Sequence, residues 1–239
     1  MTRESVVFLP GLLCDRAVWE PQIAALSGRY GCVVADYGAA DSLTAMAESV
    51  LGPAPDRFSL AGHSMGGRVA LEMMRAAPQR IARLALLDTG HRARPEGQTG
   101  EAEARKRYRL LEIASSNGMR AMGREWVQGM VHPERLHDAA LIESILAMIE
   151  RKTPDIFAAQ IRALLNRPSA EAVLRSIRCP TLVVCGRQDG WSPLTRHEEM
   201  TGMIRGARLA VIEDSGHMVT MERPQAVTAA LESWLAPAD

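Results

Sequence analysis

The sequence predicts an α/β protein: a sheet of about six mostly parallel strands, helices on both faces, and one inserted all-helical cap. Two observations carry this. Short apolar runs alternate with amphipathic ones along most of the 239 residues. Such alternation gives a parallel sheet covered on both faces. From about Arg92 to Arg167 the rhythm stops, and the composition turns helical without a strand pattern.

Taken in order, Val6–Leu9 is a buried strand closed by Pro10-Gly11. Asp15 is placed to cap a helix carrying Trp19, Ile23 and Leu26. Gly31–Asp36 reads as the next strand, and Ser42–Leu51 as an amphipathic helix. Phe58–Ala61 is a strand, and the helix after Ser64 ends before Pro78. Ile81–Leu87 is another strand, running into Asp88. The segment that follows breaks at Asn117-Gly118, His132-Pro133, Thr153-Pro154 and Arg167-Pro168, which makes three or four helices. Strand Thr181–Cys185, helix Leu194–Met203, strand Arg208–Ile212, loop Glu213–Met221 and a helix from Arg223 to Leu235 complete the chain. The expected division is a core of residues 1–91 and 168–239, with residues 92–167 as the cap.

Composition excludes some classes. Apolar residues are 47% of the chain and formal net charge is zero, so neither nucleic acid nor a membrane surface is an expected partner. No apolar run is long enough to span a bilayer, and the first strand follows directly on the N-terminus. Cys14, Cys32, Cys179 and Cys185 form no Cys-x-x-Cys pair and lie near apolar runs, as reduced core thiols do. A cytoplasmic location is the expectation.

Gly62-His63-Ser64-Met65-Gly66 stands between a strand and a helix. A serine becomes nucleophilic only when held in the open beside a base, and a sharp strand-to-helix turn does that. Ligand sites in parallel sheets lie beyond the carboxyl ends of the strands. The base should therefore follow a late strand. His217, in Asp214-Ser215-Gly216-His217-Met218, does so; His132, His137 and His197 fall in helical or turn segments where surface placement is expected. His132 and His137 lack the spacing of a zinc-binding pair, so no metal is called for. For the acid, Asp189 in Gly186-Arg187-Gln188-Asp189 competes with Asp88 and, more weakly, with Asp214. The order Ser64, Asp189, His217 is the one expected of a strand–turn–helix nucleophile on such a sheet.

These motifs, with Pro10-Gly11, Gly67 and Glu222-x-Pro224, resemble those of the α/β-hydrolase superfamily over nearly the whole chain. The helical cap resembles those of its esterases, lactonases and carbon–carbon hydrolases, and the small size is similar to carboxylesterases acting on methyl esters of carrier-bound acyl chains. The resemblance implies an oxyanion hole from the backbone N–H groups of Leu12 and Met65. It departs from the family at Pro10-Gly11-Leu12-Leu13, where His-Gly-x-Gly is usual, and at Asp36–Ser42, a shortened loop. The antiparallel strands that usually come first are expected to be absent.

The activity expected is ester hydrolysis by a serine nucleophile through an acyl-enzyme, without a cofactor, on a small-molecule ester. Lactone, thioester or carbon–carbon cleavage on the same residues is the alternative, and a non-catalytic receptor on the same fold is another. Trp126 and Met130 in the cap, with Trp191 and Met218 beside the acid and the base, are the candidate substrate contacts. Arg105-Lys106-Arg107-Tyr108-Arg109 could meet an acidic carrier protein. Glu101 and Glu103 stand four residues ahead of Arg105 and Arg107, however, which favours a solvated helix face.

Overall fold

The computed structural model describes residues 3–237. Strand β1 (Ser5–Leu9) leads to α1 (Glu20–Leu26), β2 (Gly31–Val34), α2 (Leu43–Leu51), β3 (Phe58–His63), α3 (Met65–Ala76) and β4 (Ile81–Leu87). Four helices follow: α4 (Gly97–Asn117), α5 (Met119–Trp126), α6 (Ala139–Glu150) and α7 (Pro154–Leu165). Then come α8 (Glu171–Ser176), β5 (Thr181–Gly186), α9 (Leu194–Met203), β6 (Arg208–Ile212), α10 (Val219–Glu222) and α11 (Pro224–Leu235).

The six strands form one parallel sheet in the order β2-β1-β3-β4-β5-β6. Central strands β3 and β5 are buried at every position, whereas edge strands β2 and β6 are half-open. Helices α1 and α11 pack together, while α2, α3, α8 and α9 form a second contiguous layer. Burial of β1, β3 and β4 against α3 builds the centre of the core, with Phe8, Leu60, Val69 and Leu84 fully buried. Each such side chain removed from water contributes roughly 1.5–3 kcal/mol.

Local signals act as expected in most places. Asp15 accepts from Ala17 N (2.9 Å) and caps a short 3-10 turn before α1; Ser42 caps α2 through Ala45 N (3.1 Å). The breaks at Asn117-Gly118, His132-Pro133, Thr153-Pro154 and Arg167-Pro168 all separate helices. Some details differ. Strand β3 runs two residues further than expected, to His63. Strand β2 stops at Val34 instead of Asp36, because its single neighbour β1 ends at Leu9 and turns away through Pro10. Strand β5 runs one residue further, to Gly186. The expected loop 213–221 contains α10, a single turn whose final N–H groups bond Met218 O. The four cysteines are free thiols. Among the described residues, no helix is long and apolar enough to cross a membrane.

Candidate active site

Ser64 lies at the junction of β3 and α3 with φ 54° and ψ −116°, a region that costs a non-glycine residue roughly 1–3 kcal/mol. The surroundings enforce it. Ser64 N donates to Leu87 O (2.9 Å), and its carbonyl accepts from Gly67 N (3.0 Å) and the Thr89 hydroxyl (2.6 Å). The turn also needs bare backbone: a Cβ on Gly66 would lie 2.1 Å from Leu9 O, and one on Gly62 2.5 Å from Gly66 O. The side chain is thereby turned to the carboxyl end of the sheet.

There, His217 Nε2 lies 2.8 Å from Ser64 Oγ, and His217 Nδ1 lies 2.8 Å from Asp189 Oδ2. An ionised carboxylate only accepts, so Nδ1 carries the proton and Nε2 is left to accept from the serine hydroxyl. The other Asp189 oxygen accepts from Trp191 N (2.8 Å) and Ser192 N (2.9 Å). Burial would raise the Asp189 carboxyl. The His217 ring, as charge and as hydrogen-bond donor, outweighs that together with the two main-chain N–H groups, and holds the group below the ordinary carboxylate range.

The competing acids do other things. Asp88 is fully buried, and its two oxygens accept from Gly186 N (2.9 Å) and Val219 N (3.2 Å), bracing β5 against α10. Burial, and then the Asp189 charge, push its carboxyl well above the ordinary range. Asp214 is exposed and pairs with Arg223 (3.2 Å). Asp189 alone of the three bonds His217.

His197 is a correction: it is fully buried, not on the surface. Its Nε2 accepts from Thr89 N (3.0 Å) and its Nδ1 donates to Pro193 O (3.2 Å), which requires a neutral ring. Burial accordingly pushes it down to about 4. With Asp88 and Cys185 it brings three potential metal donors within 4.8 Å of one another. Both His197 nitrogens and both Asp88 oxygens are already spent on protein hydrogen bonds, so the cluster is a brace and does not fit a metal ion.

Two residues that sequence reasoning did not assign to the site hold His217 in place. His63 Nε2 donates to His217 O (2.8 Å); burial and the nearby His217 push the His63 ring down to about 3, so it stays a neutral donor. The buried Glu222 carboxylate accepts from Gly216 N (3.0 Å), Met218 N (3.1 Å) and His132 N (2.7 Å). In addition, His217 N donates to Met130 O (2.7 Å). The available signals were position alone: His63 is the last residue of a buried strand, and Glu222 stands five residues past His217.

Ser64 and His217 face a cavity of about 680 Å³, within the usual range for a small-molecule site. Leu12 and Met65 line it, and neither N–H donates to a protein acceptor among the described residues. The loop carrying Leu12 is held by α7, since Gln160 Oε1 accepts from Leu13 N (2.9 Å). Trp126, Met130, Trp191 and Met218 all line the same cavity. Phe157, Trp126, Trp191 and His217 form a continuous aromatic series, with ring centroids 6.0, 5.4 and 4.9 Å apart. The basic run on α4 divides. Arg105 and Arg109 are exposed and paired with Glu101 (3.5 Å) and Glu125 (3.1 Å). Lys106 is exposed at the rim of the cavity, and the half-buried Arg107 lines it while keeping the expected pair with Glu103 (3.0 Å).

Residues 6–231 match the family model described as the Alpha/beta hydrolase family. The chain belongs to this family. A pimeloyl-[acyl-carrier protein] methyl ester esterase of Aromatoleum aromaticum is 27% identical over 77% of this chain and 76% of its own length. A Rhizobium rhizogenes relative provisionally named carbamate hydrolase RutD is 27% identical over 93% of this chain and 88% of its own. A solved thermophilic esterase from Thermogutta terrifontis superposes with a TM-score of 0.86 at 29% identity, covering 98% of this chain and 90% of that one. Adjacent strands β4 and β5 are joined here through α4–α8.

Proposed function

We propose that the protein is a serine hydrolase that cleaves a carboxylic ester through an acyl-enzyme. The observation that carries the reading is the hydrogen-bonded series Asp189–His217–Ser64, with both links at 2.8 Å, opening into the cavity. In this reading Ser64 Oγ attacks the ester carbonyl and gives its proton to His217 Nε2. Asp189 stabilises the imidazolium that forms. The tetrahedral oxyanion takes hydrogen bonds from Leu12 N–H and Met65 N–H, each such donor contributing roughly 3 kcal/mol. His217 then protonates the leaving alcohol, water attacks the acyl-enzyme with His217 again as base, and the carboxylic acid leaves with Ser64 restored.

Residues 92–167 act as the cap in this scheme, closing the cavity over Ser64 and excluding water from the acyl-enzyme. Trp126, Met130, Trp191 and Met218 contact the substrate. A second reading keeps every residue and changes the substrate to a carbamate; the Rhizobium relative is its motive.

The test is turnover of p-nitrophenyl esters from acetate upward, beside wild type and Ser64→Ala. Hydrolysis by the wild type and its loss in a normally melting Ser64→Ala protein are the expected results. Full activity in Ser64→Ala would remove the nucleophile; hydrolysis of aryl carbamates in preference to esters would favour the second reading.

A further inference from the structure

The cavity has two unlike halves. One is the aromatic series beside His217. The other carries Arg68, Arg92, Lys106, Arg107, Arg167 and Arg196. The protein neutralises only some of these. Glu103 serves Arg107 (3.0 and 3.1 Å) and Arg167 (2.7 and 2.8 Å) together, and Glu199 holds Arg92 (2.8 and 2.9 Å). Arg68 and Arg196 have no carboxylate within 4.0 Å among the described residues. Their hydrogen bonds go to main-chain carbonyls, Arg68 Nη1 to Arg92 O (3.0 Å) and Arg196 Nη1 to Trp191 O (3.3 Å).

These two guanidinium groups also converge. A Cβ on Gly90 would lie 3.1 Å from Arg68 Nη2, 3.3 Å from Arg196 Nη1 and 2.8 Å from Arg196 Cδ. Gly90 has no need of a glycine for its backbone, since its φ is not among the positive ones. What its bare Cα provides is room between the two arginines. The arrangement is unfavourable as it stands: burial, with Arg167 and Arg196 close by, pushes the half-buried Arg68 guanidinium down to about 9. Like charges gathered in a partly desolvated cleft are strongly disfavoured unless an anion offsets them.

Given the hydrolase reading above, on which this rests, we propose that Arg68 and Arg196 form a subsite for an oxyanion carried by the substrate itself, a carboxylate or a phosphate. The planar fork of each guanidinium suits either group. Arg68 lies on α3 four residues beyond Ser64, about 6 Å along the helix axis. The substrate class is therefore an ester whose anionic group is joined to the reacting carbonyl by a short chain, such as a half-ester of a dicarboxylic acid. The apolar half beside Trp126 and Trp191 receives the remainder.

The experiment compares p-nitrophenyl hemiglutarate with p-nitrophenyl pentanoate, which has the same acyl length without the charge. Wild type should favour the anionic ester by about tenfold or more in kcat/KM, with the preference falling as salt is added. Arg68→Gln and Arg196→Gln should each reduce that ratio by about tenfold, chiefly through KM. Arg68→Lys should retain part of it. Gly90→Ala should lower the ratio with both arginines present, and Arg105→Gln, outside the cavity, should leave it alone. Binding is read independently of turnover by thermal stabilisation of the Ser64→Ala protein with glutarate and with inorganic phosphate; the better stabiliser identifies the anion. Equal kcat/KM for the two esters, with hydrolysis still dependent on Ser64, would overturn the subsite and leave the hydrolase reading standing. Stabilisation by glutarate or phosphate that needs Arg68, in a protein that hydrolyses neither ester, would do the reverse.

Discussion

The two walls of the cavity are built on different principles. The sheet wall positions Ser64, His217 and Asp189 through backbone: a strained turn at Ser64, N–H groups on Asp189, and carboxylate and imidazole clamps on the main chain around His217. The helical wall presents side chains, an aromatic series at one end and arginines at the other. Substituting a side chain on the helical wall alters the shape and charge of the space but leaves the scaffold. On the sheet wall the same kind of change disturbs groups held within hydrogen-bond distance of each other. On the proposed reading, reaction and selection can therefore vary independently.

The largest effect expected from breaking this division is at the acid. Asp189→Asn should lower kcat on the order of a thousandfold or more, because the amide fixes the wrong His217 tautomer. Its melting temperature should change little, and pre-steady-state kinetics on an activated ester would show the slowed acylation. A comparable loss from Asp88→Asn, with Asp189→Asn active, would reverse the assignment.

On the helical wall, Trp126→Ala should move the acyl-chain optimum of a p-nitrophenyl ester series, with changes of about tenfold at individual lengths, since one extra or missing methylene is worth that much. Trp126 is only partly buried, so its melting temperature should fall less than for a core residue. An unchanged chain-length profile with a collapsed melting temperature would make Trp126 ordinary core.

Asp88→Asn sharpens the comparison from the other side. The amide N–H₂ meets an N–H where an oxygen now accepts from Gly186 or Val219. The cost is about 1–3 kcal/mol, or a few degrees of melting temperature for a chain of this size, about 2–4 °C per kcal/mol. The loss should appear in differential scanning calorimetry more than in kcat.

The smallest effect is electrostatic. Burial opposes ionisation of Glu103, but Arg167 and Arg107 overcome it and bring the carboxyl from 4.5 to about 2. A carboxylate with a depressed folded value stabilises above its unfolded value and loses that contribution as pH falls through the folded one. The stability difference between wild type and Glu103→Gln should thus be constant above about pH 5 and shrink between pH 4.5 and about 2. Thermal melts across that range are the measurement.

How much of this was legible in the sequence follows from where the information is local. Strands β4 and β6 and helix α9 have the expected bounds, because Pro, Gly and the apolar runs fix them within a few residues. Ser64 and Asp189 stood out because each follows a strand, and the parallel sheet collects such positions at one end. Helix α10 was hidden because a single turn carries no periodicity. His197 looked superficial because its helix is polar overall, yet it points inward to Thr89. The arginine pair could not be read at all: Arg68 comes from α3 and Arg196 from α9, with Gly90 between them from the loop after β4.

The bond from His217 N to Met130 O has a mechanical consequence. Met130 and its neighbours are fastened to the His217 loop by that bond, by His132 N to Glu222 (2.7 Å), and by Arg135 Nη2 to Glu222 O (2.8 Å). Helix α4, across the cavity, packs on α5 and α7, and the segment just before it reaches α9 through the exposed Arg92–Glu199 ion pair (2.8 Å). Amides of residues 130–132 and of His217 should exchange slowly with deuterium, and those around Arg92 faster. On the proposed reading, these main-chain attachments would hold the imidazole still while the segment around Arg92, joined by side chains, moves first.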